Sequence, residues 1–127
     1  MKEVSRELES WPDVKPQRHR FGGTEWVFGR REVGHIHGDA LIDIPFPKAV
    51  RDEVVAAKLA DRHHVLPESG WVSVWLREPS DVAKALGLLR RSYELAVAQK
   101  ERMNIRLFDE NCPLDGVDRQ PGCDDRP

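Results

Sequence analysis

The 127-residue chain is 33% charged and 39% hydrophobic, with 20 Lys+Arg against 22 Asp+Glu and a formal charge of −2. That is one domain's worth of sequence, long enough to bury roughly two-thirds of its unfolded surface without disulfides or metal. The balanced charge shows no concentrated basic surface of the kind on which phosphate binding relies, leaving room only for a local basic patch, so no nucleic-acid partner is expected. No apolar run approaches the ~20 residues that cross a bilayer, and the charged start Met1 to Ser10 lacks the apolar centre of a secretory signal, which together predict a cytoplasmic protein with no membrane partner.

Val4, Leu8 and Trp11 recur at helical spacing and predict a short amphipathic helix over residues 2–10, stopped by Pro12. Pro12 to Arg18 is polar with two prolines and reads as a connector. Three strands follow, Thr24 to Phe28, Arg31 to His37 and Ala40 to Ile44, broken at Gly29-Arg30 and Gly38-Asp39. Gly38 suits a tight turn because it adopts left-handed backbone angles without penalty. Pro47 opens a helix with Val50, Val54 and Ala57 on one face, running to about Leu59. A weaker strand covers His63 to Leu66, Pro67-Glu68-Ser69-Gly70 is a turn, and Trp71 to Arg77 is the clearest strand in the chain. Ser80 then caps a long helix with the stripe Val82, Leu86, Leu89 and Tyr93.

The expected fold is therefore α+β, a two-layer sandwich in the order helix, three strands, helix, two strands, helix. Its sheet is mainly antiparallel and five-stranded, with the helices on one face. Residues 1–103 form the domain, and residues 104–127, with a net charge of −3, read as a flexible acidic tail. That tail holds both cysteines, Cys112 and Cys123, which frame no core and are given no chemistry.

Strand alternation sorts the side chains into two faces. Val72, Val74 and Leu76 should meet the helices, leaving Trp71, Ser73, Trp75 and Arg77 on the other side. If Gly34, Ile36, Ile42 and Ile44 share the helix-covered layer, the open face gathers His35, His37, Asp43, Trp71, Ser73 and Trp75. Strict alternation also places Val33 with His35 and His37.

His35 and His37 lie about 7 Å apart along one strand face at a rise of ~3.3 Å per residue. That spacing suits two ligands of one metal, with a third from Asp39, Asp43, His63 or His64, but it equally suits hydrogen-bonded sheet histidines or an acid–base pair. No metal and no cofactor is assigned. His63 and His64 point oppositely on a strand, so only one joins the His35/His37 face, and His64 is taken as a contributor to the ligand surface. Asp39 or Asp43 could orient an imidazole, and Asp39 alone suits a turn. Arg18-His19-Arg20 could clamp an anion through Arg20. Gly22-Gly23 precedes a strand and is no phosphate loop, and Ser73 and Ser92 lack the elbow context of a nucleophile.

Five ordered blocks carry a family resemblance: His19-Arg20-Phe21-Gly22-Gly23, Gly34-His35-Ile36-His37-Gly38-Asp39, Asp43-Ile44-Pro45-Phe46-Pro47, His63 through Ser73, and Leu88-Leu89-Arg90-Arg91-Ser92-Tyr93. Over about Trp11 to Tyr93 the chain resembles the luciferase-domain family, named for the luciferases of bioluminescent fungi and including many small bacterial members. Its element order is also similar to type III secretion chaperones and YjbR-like proteins. The luciferase resemblance implies oxidation of an enolic α-pyrone, 3-hydroxyhispidin in the fungal members, by molecular oxygen without a known cofactor. For that reaction the open sheet face would offer His35 or His37 as the base, Asp39 or Asp43 to set its tautomer, and Trp71 and Trp75 to stack a small aromatic or enolic ligand. The alternative is a non-enzymatic module whose tryptophan-bearing face docks a ligand, a protein or a second copy of the chain as a homodimer.

Overall fold

The computed structural model describes residues 2–19, 22–38 and 40–110. Arg20, Asp39, both cysteines and residues 111–127 lie outside the described residues. Two compact units divide the chain: Met1–Ala96, which holds every described strand, and Val97–Pro127, whose described part, 97–110, is helical.

The first helix, α1 (Lys2–Glu9), fully buries Val4 and Leu8. Six strands follow among the described residues: β1 (Val14–Arg18), β2 (Thr24–Phe28), β3 (Arg31–His37), β4 (Leu41–Pro45), β5 (Asp61–Arg62) and β6 (Trp71–Trp75). They form one antiparallel sheet in the order β1-β2-β3-β4-β6-β5. Between β4 and β5 stands α2 (Lys48–Ala56), and α3 (Pro79–Glu110) follows β6. The α+β class and its antiparallel sheet agree with the expectation, but the sheet has six strands rather than five. The supposed connector is the edge strand β1, which tolerates Pro16 because an edge need not donate on its open side. Only Val14 of β1 is buried, so the segment carries no apolar alternation to reveal it.

The weaker strand is shorter and earlier than expected, ending at Arg62, so His63 to Leu66 is loop. Lys58 takes φ 61 and ends α2 before Leu59. At the start of α3 it is Asp81, not Ser80, that caps: its carboxylate accepts the backbone N–H groups of Arg77 and Glu78 at 2.8 and 2.9 Å. α3 runs on through residues 104–110, where the sequence predicts a tail.

Within Met1–Ala96 the core lies between the sheet and the part of α3 up to Ala96, which buries Ala85, Leu88, Leu89, Tyr93 and Ala96. Paired positions Ile36↔Ile42↔Val74 and Ile44↔Val72 put one apolar set on a single face. α3 presses so closely there that a Cβ on Gly34 would stand 2.5 Å from Leu89 Cδ2. Gly38 has φ 58 and turns β3 toward β4, as its position predicts.

One irregularity in β3 shapes the polar face of the sheet. Trp26 pairs with Gly34 but Val27 pairs with Glu32, so β3 carries an extra residue, Val33, opposite β2. This bulge reverses the parity of everything before it on β3. Val33 is fully buried instead of sharing the face of His35, and its carbonyl accepts the buried Ser92 hydroxyl at 2.9 Å.

Candidate active site

The face away from α3 is organised by register. His35 stands opposite Asp43, Asp43 opposite Ser73, and His37 opposite Leu41, so His35, His37, Asp43 and Ser73 project to one side of neighbouring strands. Beyond them lies a cavity of about 720 Å³, and all five histidines of the chain line it: His19, His35, His37, His63 and His64. Glu25, Glu32 and Asp43 supply carboxylates, Trp71 an aromatic wall, and Val65 and Leu66 an exposed apolar flank.

Asp43 is the centre of the cluster and has 0% exposure. Its Oδ1 accepts the Ser73 hydroxyl at 2.7 Å. Its Oδ2 lies 3.1 Å from His35 Nε2, 3.1 Å from His37 Nε2 and 3.3 Å from His63 Nε2. The two Nε2 atoms of His35 and His37 are themselves 3.1 Å apart. On its far side, His35 donates Nδ1–H to Glu32 Oε2 at 2.6 Å, which fixes the ring. Trp71 packs beside His35 with ring centres 5.2 Å apart, and His19 approaches the same ring at 4.2 Å.

The electrostatics follow from these contacts. Burial would lower the His35 pKa, but hydrogen bonds to Asp43 and Glu32 together with both negative charges outweigh it and push the imidazole up to about 9. For Asp43, burial acts upward. Hydrogen bonds from His35 and Ser73, with the charges of His63 and His35, win and hold it well below the usual carboxylate range. His63 moves down, chiefly by burial and with help from the charges of His64 and His35, against the pull of Asp43. A buried carboxylate held below its usual range, one imidazole pushed up and another pushed down thus share one wall, a pattern of divergent titrations that suits acid–base work.

The structure brings His35, His37, Asp43, Trp71 and His64 to the cavity. Ser73 acts behind Asp43 rather than lining it. Trp75 shares the sheet face but lies outside the cavity lining, beside Arg77 at 5.5 Å. Arg20 and Asp39 fall outside the described residues. His63 and His64 depart from the expected opposition: β5 ends before them, so no pleat separates them, and their rings stack at 4.5 Å with both in the cavity. Glu32 is a site residue that alternation hides, since the bulge alone turns it toward His35. His19 and Glu25 also join the lining. The basic stretch around His19 pointed toward a binding role, whereas nothing in the sequence singled out Glu25.

Fold and site define a small α+β protein with a histidine–carboxylate pocket on the open face of its sheet. The family model described as Luciferase domain matches residues 30–92, which include β3, β4, β5, β6 and α2, and the chain belongs to the luciferase-domain family. No curated protein and no solved structure matches the chain. Among the described residues, no helix is long and apolar enough to cross a membrane.

Proposed function

We propose that the cavity takes a small enolic or aromatic molecule and promotes its oxidation by dioxygen, a luciferase-like oxidoreductase role carried by the Asp43-centred histidines. The observation that carries this reading is the convergence of three imidazoles on one oxygen of a fully buried carboxylate, at the floor of a cavity walled by Trp71. A ligand ring would lie against the Trp71 indole with its enol oxygen toward His37, whose side chain is 35% exposed and is reached from the cavity.

The chemistry needs little more. An imidazole nitrogen accepts the enol proton, and the enolate left behind is the electron-rich species that adds to dioxygen. Its carbon is oxidised, the oxygen is reduced to a peroxide, and the proton returns to the peroxide to give a hydroperoxide. His35, braced by Glu32 and Asp43, offers fixed polarity to the enolate, and such preorganised groups act strongly in a site that excludes water. Family membership supports the reaction class, and the geometry supports the residues.

Oxygen consumption with a hydroxylated α-pyrone tests the reading. The wild-type chain should consume oxygen well above the buffer rate, and His37→Ala should lower that rate ~10²-fold or more, the usual worth of a general base. A wild-type rate equal to buffer, or an unimpaired His37→Ala, would overturn it.

A further inference from the structure

The triangle formed by His35 Nε2, His37 Nε2 and Asp43 Oδ2 has all three edges at 3.1 Å. Protons alone do not satisfy it. If both imidazoles donate to Asp43, two N–H groups face each other across the third edge. If one of them is unprotonated there, its lone pair faces the carboxylate oxygen instead. With Asp43 as a carboxylate, each of these assignments leaves one edge repulsive, whereas a cation above the triangle satisfies three lone pairs at once.

We infer that His35, His37 and Asp43 form a mononuclear site for a first-row divalent cation of the ferrous or manganous kind, bound through one face of a six-coordinate shell. With metal–ligand bonds of about 2.1 Å, adjacent ligands of an octahedron stand ~3.0 Å apart and those of a tetrahedron ~3.4 Å. The observed edges fit the octahedral face. Two histidines and one carboxylate on a single face is the donor set that leaves positions open for exchangeable ligands, and all three residues line the cavity from which these would come. Each flank is braced as metal ligands commonly are: Glu32 accepts the His35 Nδ1–H at 2.6 Å, and Ser73 donates to the other Asp43 oxygen at 2.7 Å. His63 Nε2, 3.3 Å from Asp43 Oδ2, stands beside the triad as a further donor.

A bound cation goes beyond the acid–base reading, because it takes the Nε2 lone pairs of His35 and His37 in place of protons, so that a metal-bound His37 is not the base and the two readings are alternative occupants of one cluster. The test uses the full chain, purified without an affinity tag and stripped with a chelator, and reads binding with no organic ligand present. Mn2+ titration followed by electron paramagnetic resonance should give one ion per chain. His37→Ala, with its fold verified by circular dichroism, should weaken binding at least 100-fold, and Glu32→Gln, which touches only the outer side of His35, ~10- to 100-fold. Bound Co2+ should show the weak visible absorption of six-coordination. Folded wild-type protein that binds neither ion, His37→Ala that binds like wild type, or an intense four-coordinate Co2+ spectrum would each overturn the inference. Quenching of Trp71 fluorescence by the hydroxypyrone in stripped protein reads the enol pocket separately, so either reading can fail alone.

Discussion

Strands β3, β4 and β6 present two faces made from alternate residues of the same three segments, and the two have little in common. One carries Gly34, Ile36, Ile42, Ile44, Val72 and Val74 and is closed by α3. The other carries His35, His37, Asp43, Ser73 and Trp71 around a cavity. The apolar face explains itself by burial, since each large side chain removed from water contributes about 1.5–3 kcal/mol. The polar face does not. Placing a carboxylate at zero exposure costs several kcal/mol, which its hydrogen bonds then offset, and apolar replacements of such clusters are often no less stable. Burial alone does not account for that polarity, and the proposed function does.

The largest expected effect separates the faces by stability. Ile44→Ala should cost ~2–5 kcal/mol in urea unfolding, because α3 already covers that side and a cavity would remain, while one Mn2+ should still bind to the folded fraction. Ser73→Ala comes next, at about 1.5–3 kcal/mol, since it leaves a buried carboxylate oxygen without its donor. Loss of stability below ~0.5 kcal/mol there would mean that water replaces the hydroxyl and that the cluster is wetter than described. Gly34→Ala joins the two faces: its new methyl would meet Leu89 at 2.5 Å on one side and the Asp43 carbonyl at 3.1 Å. Thermal unfolding should register ~1–3 kcal/mol of overpacking, and cation affinity should fall with it as β4 shifts. The smallest effect belongs to Trp75→Ala. At 38% exposure and outside the cavity, it should leave hydroxypyrone quenching unchanged, and a lost ligand signal would extend the site along β6.

Much of this contrast is legible in the sequence because it rests on alternation within three strands whose ends are marked by Gly38, Pro45 and the turn before Trp71. Those signals are local, and the pleat converts them into faces without further information. What escaped lies where periodicity is interrupted. A single extra residue at Val33 moves Glu32 onto the histidine face, and only the pairing with β2 shows where the extra residue falls. His63 and His64 share the cavity because β5 stops one residue before them, a boundary set by pairing with β6 rather than by their own composition. β1 is held as an edge by β2 while offering one buried side chain, so its identity is a tertiary fact. The meeting of His35, His37 and Asp43 at 3.1 Å is likewise a matter of register, which two histidines at i and i+2 suggest but do not fix.

Whether the polar face exists for chemistry and not for the fold is tested most directly by His37→Ala, measured in parallel by urea unfolding and by oxygen consumption with the hydroxypyrone. The expected result is an unfolding free energy within ~1 kcal/mol of wild type alongside a rate ~10²-fold lower. A variant that unfolds several kcal/mol sooner yet consumes oxygen at the wild-type rate would contradict it.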